Sequence, residues 1–205
     1  TGNSLSYNYE EENTFWAGNE QRFLDITNFE INSENVEGSI KRTDTVYIFT
    51  TKVKPKVQHS LIDRRTNIFG ASLIGSSGMS NMSLDPEYGM VYFYILSETE
   101  DLTGDYYIFG ELSQREHSPA FKMEYNAEKK RYQQRIFLKQ GIYNWHYHFV
   151  NEREDAGDLR PIEGAFSETL NEYTVLVYYR GVTDDFDRLV GIKTTDFPTL
   201  NNSER

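Results

Sequence analysis

The chain has 205 residues, with 38% hydrophobic and 26% charged side chains, which is enough for a buried core and argues against disorder. A formal net charge of −11 with scattered basic residues argues against nucleic-acid binding and against direct binding to anionic lipid. The chain has no cysteine, so disulfides, Cys–zinc sites and thiol catalysis are excluded, and no apolar run approaches the roughly 20 residues of a membrane-spanning helix.

Strand patterns begin early in the chain. Residues 22–26, 36–40 and 45–49 are short runs rich in β-branched and aromatic side chains, and each is expected to form a strand. Residues 52–86 carry fewer such signals and several prolines and glycines, although residues 71–74 can add a short strand.

The second half of the chain has more regular strand patterns. Residues 90–96 are apolar at both alternating sets of positions, which predicts a central strand covered on both sides. In residues 142–150, His146 and His148 lie on the face opposite Trp145. No window carries a helical apolar stripe. The remaining predicted strands are residues 106–110, 131–138, 173–179 and 189–192.

Many short strands separated by turn residues predict an all-β fold made of two immunoglobulin-like β-sandwich domains in tandem. Turn residues cluster at 85–89, just before a new strand. This places the boundary after Pro86. The predicted domains are therefore residues 1–86, with an irregular second half, and residues 87–205.

Two kinds of polar cluster in the sequence could form chemical sites. His146 and His148 have a spacing that can place two imidazoles on one metal ion, with Glu152 or Asp155 as a further ligand. The carboxylates within residues 152–155 and 184–187 are of the kind that glycosidases or Ca²⁺ sites use. Half-exposed strand histidines and solvated turns are the simpler interpretations. We therefore predict no catalytic residue, no metal site and no cofactor.

The surplus of tyrosine has two interpretations. Tyrosine gives a large contact area at low entropic cost, so these side chains can form a surface that docks on another macromolecule. They can equally form the core and cross-strand pairs of the sheets. The tyrosines concerned are Tyr92, Tyr94, Tyr106, Tyr178 and Tyr179.

The order of strands and turns over residues 106–150 resembles the early-set immunoglobulin-like modules related to glycogen-binding domains. In those modules a tryptophan after the first strand contacts the sugar. The corresponding loop here, residues 113–117, has no tryptophan, and Trp145 lies inside a predicted strand. The resemblance therefore implies an early-set fold for the second domain, without a carbohydrate site.

A wider resemblance covers nearly the whole chain. Several short sequence motifs resemble, and follow the order of, those in the second and third domains of type IX secretion system plug proteins of Bacteroidetes. The motifs lie at residues 15–26, 138–145, 163–169, 173–180 and 186–191. The resemblance implies a periplasmic protein, peripheral at the outer membrane, that occludes the translocon, an outer-membrane β-barrel. It also implies a further partner, an N-terminal β domain of the same protein that would precede residue 1.

The resemblance also directs attention to particular residues as candidates for partner contact or for structural motifs. Asp187 and Arg188 are expected to form an ion pair that orders the last hairpin, and Glu168 is expected to pair with Arg180. The candidate residues are Trp16, Tyr92, Tyr94, Tyr178, Arg180, Asp187 and Arg188.

The sequence thus predicts a non-enzymatic protein-interaction module. The alternative is a carbohydrate-binding module, or an accessory domain of a protein that degrades polysaccharides. The first alternative predicts exposed, coplanar aromatic rings in a shallow groove, and the second predicts two carboxylates that face each other across a cleft.

Overall fold

The structure of the protein, a computed structural model, describes residues 15–29, 35–42, 45–50, 52–53, 71–76, 86–153 and 156–197. These residues are mostly β-strand, with one four-residue α-helix and two 3-10 turns at Glu111–Ser113 and Pro119–Phe121. The all-β prediction is confirmed. No helix within the described ranges is long and apolar enough to cross a membrane.

The strands follow the alternating apolar patterns of the sequence, because a period of two places every second side chain on the same face of a sheet. The elements are β1 (Arg22–Asp25), β2 (Val36–Arg42), β3 (Thr45–Thr50), β4 (Ser72–Ile74), β5 (Tyr88–Leu96), β6 (Gly104–Phe109), β7 (Glu124–Asn126), β8 (Arg131–Lys139), β9 (Gly141–Asn151), α1 (Arg160–Glu163), β10 (Asn171–Tyr179) and β11 (Arg188–Phe197).

The chain divides into two compact units. One consists of Asn19–Gly164 and is called here the sandwich unit. The other consists of Thr1–Gly18 together with Ala165–Arg205 and is called the hairpin unit. The predicted domains 1–86 and 87–205 do not match this division, because β3 pairs with β5 while β1 and β4 pair with β9. Strands from both sides of Pro86 therefore share the same sheets.

The sandwich unit contains two sheets. One has five strands in the order β2-β3-β5-β8-β7, in which β3 and β5 are parallel. In the other sheet β9 pairs with β1, β4 and β6. Both sheets contribute to one hydrophobic cluster. Phe93 of β5 meets Trp145 of β9 edge to face, with ring centroids 5.5 Å apart, so these fully buried rings hold the two layers together.

A buried ion pair joins the ends of the sandwich unit. Glu163, at the end of α1, is 1% exposed and accepts from Arg22 of β1 through two hydrogen bonds, from Nε at 3.0 Å and from Nη2 at 2.8 Å. The backbone N–H of Tyr147 in β9 donates to the same carboxylate at 3.0 Å. The amide of Asn19 donates to the carbonyl of Glu163 at 2.9 Å. One carboxylate therefore connects β1, β9 and α1.

The hairpin unit consists of the antiparallel pair β10–β11, joined at its base to residues that precede the sandwich unit. Asn171 Nδ2 donates to the carbonyl of Ala17 at 3.0 Å, and Thr169 Oγ1 donates to the carbonyl of Gly18 at 2.9 Å. Gly18 has a φ of 72°, which favours glycine at this position. Every buried hydrophobic residue among the described ranges belongs to the sandwich unit.

Truncation of the interlayer aromatic contact tests the two-layer core. We expect Phe93→Ala to lower the free energy of unfolding by about 3–5 kcal/mol, because it leaves a cavity between the sheets. Phe137→Ala is the matched control, since Phe137 is 56% exposed, and its cost should be about 1 kcal/mol or less. Urea denaturation measures both, and equal costs would contradict the packing described above.

Removal of the buried carboxylate tests the connection between β1, β9 and α1. We expect Glu163→Ala to cost about 3–5 kcal/mol, because the largely buried Arg22 and the N–H of Tyr147 lose their acceptor. The control is Glu168→Ala, at an exposed carboxylate that contacts the neighbouring Ser167 hydroxyl. A double-mutant cycle with Arg22→Ala should give a coupling energy above about 1 kcal/mol, and additive effects would contradict the pairing.

Candidate functional site

The outward side of the five-stranded sheet carries a group of aromatic side chains that we call the aromatic face. The alternation of β5 produces it, because Val91, Phe93 and Ile95 point into the core and the residues between them point outward. The neighbouring strands β3 and β8 add aromatic rings to the same outward side of the sheet. The aromatic face consists of Tyr47, Phe49, Tyr88, Tyr92, Tyr94 and Phe137.

The rings of the aromatic face pack on one another across strands. Phe49 and Tyr92 stack with centroids 5.2 Å apart and an interplanar angle of 25°. Tyr88 and Phe137 stack at 5.0 Å and 17°. Tyr92 and Tyr94 are nearly parallel at 6.4 Å. Such cross-strand pairs stabilise the sheet, and they also present a preordered aromatic surface.

Strand β8 adds cations to the aromatic face. Arg131 places its guanidinium carbon 4.1 Å from the ring centroid of Tyr94, and Lys139 Nζ is 5.7 Å from that of Tyr88. Arg135 lies opposite Tyr92 in the strand register and is exposed. The three cations are spaced four residues apart, so they share one side of the strand. A locally basic surface therefore exists on a chain of net charge −11.

A shallow pocket of about 380 Å³ lies beside Tyr94 and Phe49. Its rim includes Glu37, whose carboxylate is 3.1 Å from Lys52 Nζ, and also Arg131. Burial raises the pKa of the Tyr94 hydroxyl, an effect that the nearby Arg131 guanidinium opposes. The aromatic face thus ends in a polar rim, as protein interfaces commonly do.

The ring contacts bear on the carbohydrate alternative. A sugar-binding platform uses free ring faces, and in the aromatic face several of these are occupied by protein groups. Arg131 covers one face of Tyr94, which is only 4% exposed, and Phe49 and Tyr92 cover parts of each other. The stacking therefore favours cross-strand packing and protein contact over a coplanar sugar platform.

A second cluster contains three of the four histidines of the chain. His117, from the loop after β6, places Nε2 3.1 Å from Nδ1 of His148, and Phe109 stacks on the His148 ring at 4.0 Å. His146 lies on the same side of β9, but its Nε2 is paired with the carbonyl of Asn19 at 3.3 Å. The loop histidine could not be assigned from the sequence, because nothing in its local pattern indicates that it meets β9.

The histidine pair is closed off by backbone. A Cβ built on Gly157 would lie 2.5 Å from His117 Nε2 and 2.6 Å from His148 Nδ1, so Gly157 packs directly over the two nitrogens. No group of three or more His, Asp or Glu side chains suited to a metal ion occurs within the described residues. Glu152 is exposed and Asp155 lies outside the described residues. We interpret the pair as a structural contact.

Burial controls the protonation of this cluster. It lowers the pKa of His148 to about 3, with smaller contributions from His146 and His117 in the same direction, while Asp158 opposes the shift. Burial also lowers the pKa of His117 and of His146, and near His146 the carboxylate of Glu163 opposes the shift while Arg22 reinforces it. The folded protein therefore favours the neutral imidazoles.

The hairpin unit holds the other candidate residues. The guanidinium of Arg180 donates to both oxygens of Asp187, at 2.8 and 3.0 Å, and Arg188 donates to Asp184. The predicted Asp187–Arg188 pair is wrong, because each residue pairs with a different partner across the turn. The predicted Glu168–Arg180 pair is also wrong, since Glu168 accepts from the Ser167 hydroxyl.

The acidic cluster at residues 184–187 is used to build this turn. The backbone N–H of Gly181 donates to Asp184 Oδ2 at 3.1 Å, and the N–H of Asp184 donates to the carbonyl of Gly181 at 3.0 Å. The seven candidate contact residues thus belong to two different units. Tyr92 and Tyr94 lie on the aromatic face, whereas the hairpin unit contains Trp16, Tyr178, Arg180, Asp187 and Arg188.

Comparisons with known proteins give a structural neighbour. No family model and no curated protein matches the sequence. Among solved structures, the chain is similar to a hypothetical protein from Parabacteroides merdae, with 30% identity and a TM-score of 0.72 over 89% of this chain and 45% of that chain. The chain therefore spans less than half the length of its neighbour, and the neighbour's description names no activity.

Acid titration tests the histidine cluster. The unfolded chain binds a proton at His148 near pH 6.5, whereas the folded chain does so only near pH 3. The contribution to stability is complete above pH 6.5 and is lost as the pH falls from 6.5 toward 3, by at most about 1.4 kcal/mol per pH unit.

The measurement is the free energy of unfolding in urea at pH 7, 6, 5 and 4, for the natural protein and for His148→Phe. Phenylalanine keeps the stack on Phe109 and cannot titrate, so we expect the difference between the two proteins to change steadily below pH 6.5. If the free energies of unfolding of the two proteins instead changed in parallel with pH, His148 would not be the buried neutral group that causes the loss of stability.

Proposed function

We propose that this chain is a non-enzymatic protein-interaction module that docks on a partner protein through the aromatic face. The observation that carries the proposal is the combination of accessible rings, those of Tyr88, Tyr92 and Phe137, with the cations of β8 on one sheet, where Tyr94 is buried beneath Arg131. Aromatic residues and arginine are enriched at protein interfaces, and arginine in particular at their energetically dominant positions. The cations suit a partner surface that is acidic.

Several of the polar groups within the described ranges that could perform chemistry are engaged in structural contacts, which supports the non-enzymatic assignment. Glu163 is buried against Arg22. Asp184 and Asp187 pair with arginines in the turn between β10 and β11. His148, with a pKa of about 3, is a weak base at neutral pH.

For the partner, we propose the outer-membrane β-barrel translocon of the type IX secretion system. The module would act as a plug on the periplasmic side. Two points support this: the resemblance of its sequence motifs to those of plug proteins of Bacteroidetes, and a structural neighbour from Parabacteroides, a member of that phylum. The mechanism is steric occlusion by a body that does not deform. Strand β5 suits this role, because it is hydrogen-bonded to a strand on each side and its apolar residues are buried between the layers.

A carbohydrate-binding module is the second candidate. The pocket beside Tyr94 favours it, since Glu37, Lys52 and Arg131 can donate to or accept from sugar hydroxyls. The stacked rings disfavour it, as argued above. The two candidates are distinguished by what the aromatic face retains: a detergent-solubilised barrel or a soluble polysaccharide.

In the test, the natural protein is immobilised, and the amount of purified type IX translocon barrel that it retains is measured. We expect Tyr92→Ala and Arg135→Ala each to weaken binding about tenfold or more, and raised salt to weaken it further, because the contact is aromatic and charged. Arg115→Ala is the matched control, since Arg115 is an exposed arginine paired with Glu111 away from β8. Retention of polysaccharide instead of the barrel, or equal binding by all variants, would refute the proposal.

A further inference from the structure

The hairpin unit lacks a core of its own within the described residues. Strands β10 and β11 form a two-stranded sheet, and none of the buried hydrophobic residues in the described ranges belongs to this unit. Isolated two-stranded hairpins are at best marginally stable in water. This hairpin therefore requires stabilisation that the described part of its own unit does not supply.

Both faces of the hairpin are apolar toward its tip. Val175, Val177 and Tyr179 alternate with Leu176 and Tyr178, so each side of β10 carries large hydrophobic groups. On β11, Ile192 lies opposite Leu176, and Leu189 lies opposite Tyr178. These seven side chains are between 46% and 67% exposed. A strand that is apolar on both faces is typical of the inside of a layered structure.

Specific contacts nevertheless tie the hairpin at both ends. Its turn is fixed by the Arg180–Asp187 and Arg188–Asp184 pairs, described above. At its base, Phe15 contacts Tyr173 with ring centroids 6.5 Å apart, and Ala17 and Gly18 accept hydrogen bonds from residues 166–171. The chain segment at residues 15–18 is therefore anchored alongside the base of the hairpin.

We propose that β10–β11 is one part of a second β-sandwich, whose remaining strands come from another stretch of the same polypeptide outside residues 1–205. The anchored segment at 15–18 favours this source, because its contacts hold the same polypeptide beside the base of the hairpin and so give further strands of that polypeptide a high effective concentration there. The length of the structural neighbour agrees, since more than half of that chain lies outside the matched part. The partner sheet pairs with the outer edges of the hairpin and covers both apolar faces.

This surface is distinct from the aromatic face, and its test needs no translocon. Hydrogen exchange is compared between residues 1–205 alone and the complete gene product. We expect amides of residues 175–179 and 189–192 to exchange about 100-fold or more slowly in the complete product, because burial raises the free energy of local opening. Amides of β5 serve as the internal control, and their exchange should be equal in both.

Paired variants of the complete gene product locate the contact. Val177→Asp places a charge in the apolar part of the hairpin and should return its exchange to the rate seen in residues 1–205 alone. Thr194→Asp, at an exposed polar position that faces Thr174, is the control and should have no such effect.

Three results would overturn the proposal. The first is equal hairpin exchange in the two proteins, and the second is a complete gene product without further strand-forming sequence. The third is protection that arises in residues 1–205 alone as the concentration rises, with a dimer seen by light scattering, because it would assign a second copy as the cover. Failure here leaves the barrel-retention result unaffected, so the two proposals can fail separately.

Discussion

The sandwich unit depends on one buried carboxylate, that of Glu163. Burying a charge is costly unless its hydrogen-bonding capacity is satisfied, and here the two Arg22 donors and the N–H of Tyr147 meet that demand. These partners lie on β1 and β9, and the carboxylate itself ends α1. The pair therefore fixes β1 and the chain after β9 in one arrangement. A hydrophobic replacement could match its stability but could not specify this geometry by directed hydrogen bonds.

The strand period distributes the aromatic residues between stability and recognition. On β5, Phe93 enters the core and meets Trp145, while Tyr92 and Tyr94 turn outward and receive Phe49 and Arg131. The same composition thus supplies a dry interlayer contact and an ordered outer surface. Because the core holds the backbone of β5 in place, the outer rings would lose little further entropy in binding the partner proposed above.

Much of the fold could be predicted from the sequence, because strand formation follows from local alternation. The patterns at residues 90–96 and 142–150 identified β5 and β9, and turn residues indicated where many of the strands end. Pairing could not be predicted, since it depends on residues far apart: Arg22 meets Glu163 across 141 positions. For the same reason His117 was missed as the partner of His148. The turn residues at 85–89 suggested a domain boundary, although strands on both sides of them share sheets.

The aromatic face and the hairpin differ in how many of their exposed side chains already pack on other protein groups. This difference indicates two kinds of contact. On the aromatic face, rings stack on rings and cations cover tyrosines, so the surface is stable in water and suits a partner that arrives and leaves. The hairpin has apolar groups on both sides, and only its turn and base are tied down. Contiguous apolar surface of that kind is typical of permanent contacts. The plug proposed here would need both kinds of contact, since its own parts must stay together while its docking surface releases the partner.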